Sequence, residues 1–206
     1  ECPMSVDMAA MKIEAQAARV AKHGATLRDR LVGHLPRYAP FAARAPWLMN
    51  LRNRIPALAR LSERVAGFAA DRPLPEWRAP FRLPPDDPEP EVLLFADTFN
   101  AHFEPRHLED AVAVLRAGGL RVGFARAPRG RNLCCGRTYL SAGLVAEAKA
   151  EMARTAAAIR PVIERGGAVV GLEPSCLLTF RDEAPRLLDD WSEETGRRVM
   201  LLEEYL

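Results

Sequence analysis

The sequence predicts an α/β protein: a small α-helical N-terminal region, a Pro-rich linker, then a Rossmann-like, mainly parallel sheet with helices on both faces. Three observations carry this. Beyond residue 90, short continuous apolar runs alternate with stretches of helical periodicity, the pattern of strands covered on both sides. Residues 71–90 contain seven prolines, which deny helix and ladder hydrogen bonds and favour an extended connector. Before that segment the apolar residues follow helical spacing, cut at intervals by Pro36, Pro40, Pro46 and Pro56.

Taken in order, residues 7–20 suit a helix with Met8, Met11, Ala15 and Ala18 on one face, and His23-Gly24 supplies a stop. A second helix is expected over 26–35, ahead of Pro36, followed by short helices to about Phe68. Across the connector, 92–96 reads as a buried strand. Residues 106–117 carry Leu108, Ala111, Val112 and Leu115 at helical spacing and end at Gly118-Gly119. The segment 120–125 gives a second strand. A long helix over 143–165, shortened or kinked at Pro161, leads to a third strand at 168–172. A helix from Ser175, broken near Pro185, and a fourth strand at 198–202 complete the alternation. The expected organisation is 1–70 helical, 71–90 linker and 91–206 α/β domain.

The chain has 206 residues, 49% of them hydrophobic, enough for one full core and a smaller appendage. No apolar run approaches the roughly 20 residues that cross a bilayer, and no secretory leader pattern is present. A cytoplasmic location is expected. Four cysteines, two of them adjacent, then read as reduced thiols or ligands rather than disulfides. The formal charge of +2 hides an asymmetry: residues 1–70 hold 11 Lys/Arg against 5 Asp/Glu. Such a front can dock an acidic partner or a membrane surface, although solvated arginines on helix faces are the simpler reading. No nucleic-acid motif accompanies them.

The chemistry gathers where parallel sheets place it, beyond the carboxyl ends of the strands. Asp97 follows the first strand, Cys134-Cys135-Gly136 lies after the second, and Glu173-Pro174-Ser175-Cys176 follows the third. Adjacent cysteines cannot bridge each other without a distorted peptide, so they point to metal ligation or to a reactive thiol beside a partner. Cys176 at a helix start favours thiolate. Asp97 and Glu173 are equally readable as ligands or as helix caps. His102 and His107 can act as extra ligands or proton carriers, with a surface position the simpler reading. Arg137 and Tyr139 can bind an anion next to the thiols, or stand as an ordinary helix start.

The Cys-Cys-Gly loop with Cys176 three residues after Glu173 resembles the cysteine-rich CCG domain of heterodisulfide reductase subunits and of iron–sulfur oxidoreductases of the glycolate and lactate oxidase type, over residues 91–206. Two positions depart from that pattern, Asp97 and Glu173 standing where it has cysteine. Glu1-Cys2-Pro3 is similar to the close of a ferredoxin run, so Cys2 is expected to ligate a [4Fe-4S] cluster in an intact, longer protein. The segments FADTFNAHFEP, CCGRTYLSAGL and GLEPSCLLTFRDE resemble fused proteins in which FAD-binding 2-hydroxyacid dehydrogenase and ferredoxin modules precede a CCG-like module.

The resemblance implies an acceptor-side segment of an FAD/iron–sulfur oxidoreductase that oxidises a D-2-hydroxyacid. Its partners would be the FAD-binding and ferredoxin modules of the same protein and a quinone or cytochrome acceptor, with peripheral contact at the inner membrane. An iron–sulfur cluster or zinc is expected at Cys134, Cys135, Cys176, Asp97 and Glu173. The carboxylates suit zinc or mononuclear iron better than a cluster. Two other classes stay open: a zinc-stabilised, non-catalytic docking module, and a thiol-disulfide site in which Cys134 or Cys135 attacks and Cys176 resolves.

Overall fold

A computed structural model describes residues 7–126 and 132–206; Cys2 lies outside them. The N-terminal side folds as α1 (Met8–His23), α2 (Leu27–Gly33), α3 (Leu35–Ala42), α4 (Pro46–Met49), α5 (Leu51–Arg54) and α6 (Pro56–Ala66). The helix starts are chemically specified. Asp7 accepts from the Ala10 amide, and Thr26 and Asp29 form a reciprocal capping box that Arg19 completes with a 2.6 Å ion pair. The helix expected over 26–35 ends at Gly33 instead. Pro36 lies in the first turn of α3, where its missing amide hydrogen costs nothing, so the proline opens a new helix rather than closing the old one.

The remaining chain contributes β1 (Val92–Leu94), α7 (Thr98–His102), α8 (Pro105–Ala117), β2 (Val122–Phe124), α9 (Arg137–Ser141), α10 (Val145–Glu164), β3 (Ala168–Gly171), α11 (Pro174–Arg181), α12 (Ala184–Leu187), α13 (Glu193–Gly196), β4 (Val199–Leu201) and α14 (Leu202–Tyr205). All described strand pairs are parallel, in the order β2-β1-β3-β4. The α/β class and the parallel sheet covered on both faces are as the sequence predicts. β1 lies centrally, and the chain leaves it in one direction to β2 and in the other to β3. That reversal between β1 and β3 opens a crevice at their carboxyl ends.

Side chains alternate across the sheet, so the central strands β1 and β3 each feed two cores. Leu93, Phe95, Val169 and Val199 face α10 and α11, meeting Met152, Ile159, Leu177 and Phe180. Val92, Leu94, Val122 and Val170 face α8, meeting Leu108, Ala111 and Leu115. Each fully buried Val or Leu is worth about 1.5–3 kcal/mol in transfer free energy, which is why strands of three or four residues suffice. α10 runs through Pro161 as one helix.

The helical side is tied to the sheet side at specific points. Thr138 on α9 donates to the Gly33 carbonyl of α2 at 3.0 Å, and Ile13 of α1 packs on the core beneath α10. Residues 67–91 have no helix or strand, yet Trp77 is buried with Ala39, Ala43 and Phe103. The backbone in this stretch bonds to side chains instead: Asn50 reads both the amide and the carbonyl of Trp77, and Asn53 does the same for Leu74. Arg52 collects the carbonyls of Phe68, Ala69 and Arg72.

A buried thiol crevice at the strand ends

The loop after β2 is built around Gly136. Its φ of +87° lies in the left-handed region, and a Cβ there would stand 2.9 Å from the Ala148 carbonyl oxygen of α10. Glycine is required on both counts. The same turn is pinned from the other side by Thr155 of α10, whose hydroxyl accepts from the Cys134 amide at 3.2 Å and donates to the Cys134 carbonyl at 2.8 Å. Cys134 and Cys135 are thereby held against α10, and both are buried.

α11 brings the third thiol. Glu173 caps this helix, its Oε1 accepting from the Ser175 amide and hydroxyl at 3.3 and 2.7 Å. Cys176 follows in the first turn, its sulfur 3.0 Å from that of Cys135. Asp97 caps α7 from the end of β1: Oδ1 accepts from the amides of Phe99 and Asn100, and Oδ2 from the Asn100 side chain at 2.7 Å. All five residues that the sequence singled out after these strands therefore sit around one crevice.

Their electrostatics are those of a crowded, desolvated site. Contact with Cys135 and burial hold the Cys134 thiol well above its ordinary range. At Cys135 the Cys134 neighbour pulls downward, but the contact with Cys176 and complete burial outweigh it and push the thiol up. Cys176 is likewise drawn down by Cys135 and raised on balance by burial and by the charges of Asp97, Cys134 and Glu173. Burial raises Asp97 above the usual carboxylate value against the pull of its hydrogen bonds to Asn100 and Phe99, and the nearby Glu173 charge adds to the rise. The thiols start out protonated, and the Gly136 and Arg137 amides, which donate to the Cys134 and Cys135 sulfurs at 3.3 and 3.4 Å, favour thiolate when a proton is lost.

The donors do not fit a coordination sphere in this arrangement. Ligands to tetrahedral zinc at a Zn–S distance of about 2.3 Å lie roughly 3.8 Å from one another, whereas Cys135 and Cys176 are 3.0 Å apart. Both oxygens of Asp97 and Oε1 of Glu173 are taken up by caps. Among the described residues no group of three or more His, Cys, Asp or Glu side chains is disposed to hold a metal ion. The expected ligand set is gathered, but as free thiols, Cys135 hydrogen-bonded to Cys176, beside two caps.

The neighbouring candidates separate. His107 is exposed and contacts the Asn100 side chain. His102 is buried, against the simpler expectation of a surface residue; burial lowers its pKa to about 4 and so keeps it neutral. Arg137 is paired with Glu183 rather than merely solvated. Tyr139 is fully buried, with Arg37 over its ring and His34 at its edge, and packs in the same apolar cluster as Cys135 and Cys176. Thr155 escaped the sequence reading, because a threonine inside a helical pattern gives no sign that its hydroxyl grips a loop 21 residues away.

No protein-family model matches this chain, and no solved structure matches it. It is similar to the D-2-hydroxyglutarate dehydrogenase of Escherichia coli strain K12, with 25% identity over 225 residues that take in 100% of this chain and 21% of that protein. The chain thus spans about a fifth of the length of that relative.

Proposed function

We propose that this chain is the acceptor-side, electron-transfer portion of an FAD-linked oxidoreductase acting on a D-2-hydroxyacid. The similarity of the whole chain to part of a D-2-hydroxyglutarate dehydrogenase carries the reading. The buried thiols at the switch point of the sheet support it, because that crevice is where an open parallel sheet places its chemistry. Flavin, a ferredoxin-type cluster and the hydroxyacid site belong, on this reading, to the rest of the protein, and the thiol crevice handles electrons after they leave the flavin. The CCG resemblance names a metal or cluster for such a crevice; the sulfur arrangement favours thiol chemistry instead.

The test uses the native protein that carries this chain, mixed anaerobically with D-2-hydroxyglutarate, D-lactate or glycolate. The flavin should bleach with one of them, and Cys135→Ser should leave bleaching intact while slowing reoxidation by the acceptor. Absence of bleaching with every 2-hydroxyacid, or equal acceptor rates in the variant, overturns the reading.

A further inference from the structure

Cys135 and Cys176 meet from two independently fixed elements. The CCG turn is clamped to α10 by Thr155 and by the close approach of Gly136, and α11 is fixed by its Glu173 cap. Between them the Cys135 thiol donates to Cys176 across 3.0 Å. A disulfide needs its sulfurs about 2.05 Å apart, so bonding asks for roughly 1 Å of approach, within the reach of side-chain rotation. Cys134 is a poor rival. It cannot pair with its neighbour Cys135 without distorting the peptide, and its sulfur already accepts from the Gly136 amide at 3.3 Å.

We infer that Cys135 and Cys176 form a dithiol–disulfide redox couple, a two-electron site made from this chain's own residues and needing no metal. It deepens the functional reading only in naming what the crevice does; its chemistry stands on the two sulfurs. Both are 3% exposed, which shuts out a protein disulfide and restricts the oxidant to one as small and neutral as a peroxide. One sulfur takes a peroxide oxygen as sulfenic acid and releases water; the other then displaces that oxygen as a second water and closes the S–S bond. Two thiols lose two protons and two electrons, and one peroxide becomes two waters. A dithiol reductant reverses the step by exchange. Because both sulfurs are buried and the oxidant must reach them through the packed fold, oxidation should be slow, on a scale of minutes or longer.

The experiment treats the chain as purified with hydrogen peroxide, blocks free thiols with iodoacetamide under denaturing conditions, and reads intact mass and peptide map. The wild type should take up two fewer alkyl groups than untreated protein, yield a Cys135–Cys176 cross-linked peptide, and take up the full number again when dithiothreitol precedes the block. Cys134→Ser should keep that link. Cys176→Ser should stop at a sulfenic acid on Cys135 that dimedone traps, and Cys176→Ala, checked for helix content by circular dichroism, repeats this without a hydroxyl. The couple is overturned by a link through Cys134 or Cys2, by stepwise oxygen addition with no link, or by bound iron or zinc that protects the thiols until chelated. A missing link with flavin bleaching intact in the native protein removes the couple alone. A link in protein that ignores every hydroxyacid removes the functional reading alone.

Discussion

Two kinds of acid share the crevice and are used in opposite ways. Asp97 and Glu173 follow β1 and β3 and spend their oxygens on backbone amides and on adjacent side chains. The thiols follow β2 and β3 and spend their sulfurs on each other and on the turn that holds them. Both sets satisfy the same rule, that a buried polar group must be paired. The carboxylates pair inward, into the fold, which makes them parts of the scaffold. The thiols pair across elements, which leaves them free to react with one another without dismantling a helix start.

The sharpest way to break the contrast is at the turn. Gly136→Ala forces a Cβ into a backbone at φ +87° and 2.9 Å from the Ala148 oxygen. The left-handed strain and the displaced loop should together cost about 3 kcal/mol. Denaturant melting should show that loss, and cross-linking of Cys135 with Cys176 should fall with it, because the turn no longer presents its sulfur to α11. A variant that melts like wild type and still cross-links would mean the turn is not the element that sets the thiol geometry.

The carboxylates should then divide by what they hold. Asp97→Ala orphans the Phe99 and Asn100 amides and the Asn100 side chain in a buried site, at an expected cost of about 2 kcal/mol. Glu173→Ala releases one amide and one hydroxyl at a half-buried position, for about 1 kcal/mol. Neither should abolish the peroxide-driven link between Cys135 and Cys176. Equal losses in the two variants, or loss of the link in either, would merge carboxylates and thiols into one functional unit and restore them as partners in a shared centre.

How much of this was legible beforehand follows from the kind of contact each residue makes. The strands were, because Val92–Leu94 and Ala168–Gly171 are apolar on both faces and need no partner to be recognised. The gathering of Asp97, Cys134, Cys135, Glu173 and Cys176 was legible too, since strand ends converge by topology alone. Their employment was not. Whether Asp97 caps α7 depends on a five-residue helix too short to leave a periodic trace. The burial of Trp77 rests on side chains of α4 to α5 reading an extended backbone, and a proline-rich stretch has no period by which to reveal it.

The smallest effect sharpens the comparison from outside. Glu204 lies on the surface, where bidentate pairing with Arg181 and the Leu201 amide hold its carboxyl down, from 4.5 to about 2. A depressed carboxyl gives its full contribution above about pH 4.5 and loses it as pH falls through about 2. Asp97 carries the opposite sign. Its pKa is raised from 3.8 by burial, so the stability it contributes weakens as pH climbs above that value. Glu204→Gln should therefore lower the melting temperature slightly at pH 6 and by much less near pH 2, with the pH 6 difference shrinking in high salt. Asp97→Asn should instead flatten the part of the profile that begins near pH 4, salt having little effect on so buried a group. If both variants shift the acid limb in the same direction and with the same salt dependence, the crevice carboxylate is electrostatically a surface group, and the distinction between scaffold acids and reactive thiols loses its physical basis.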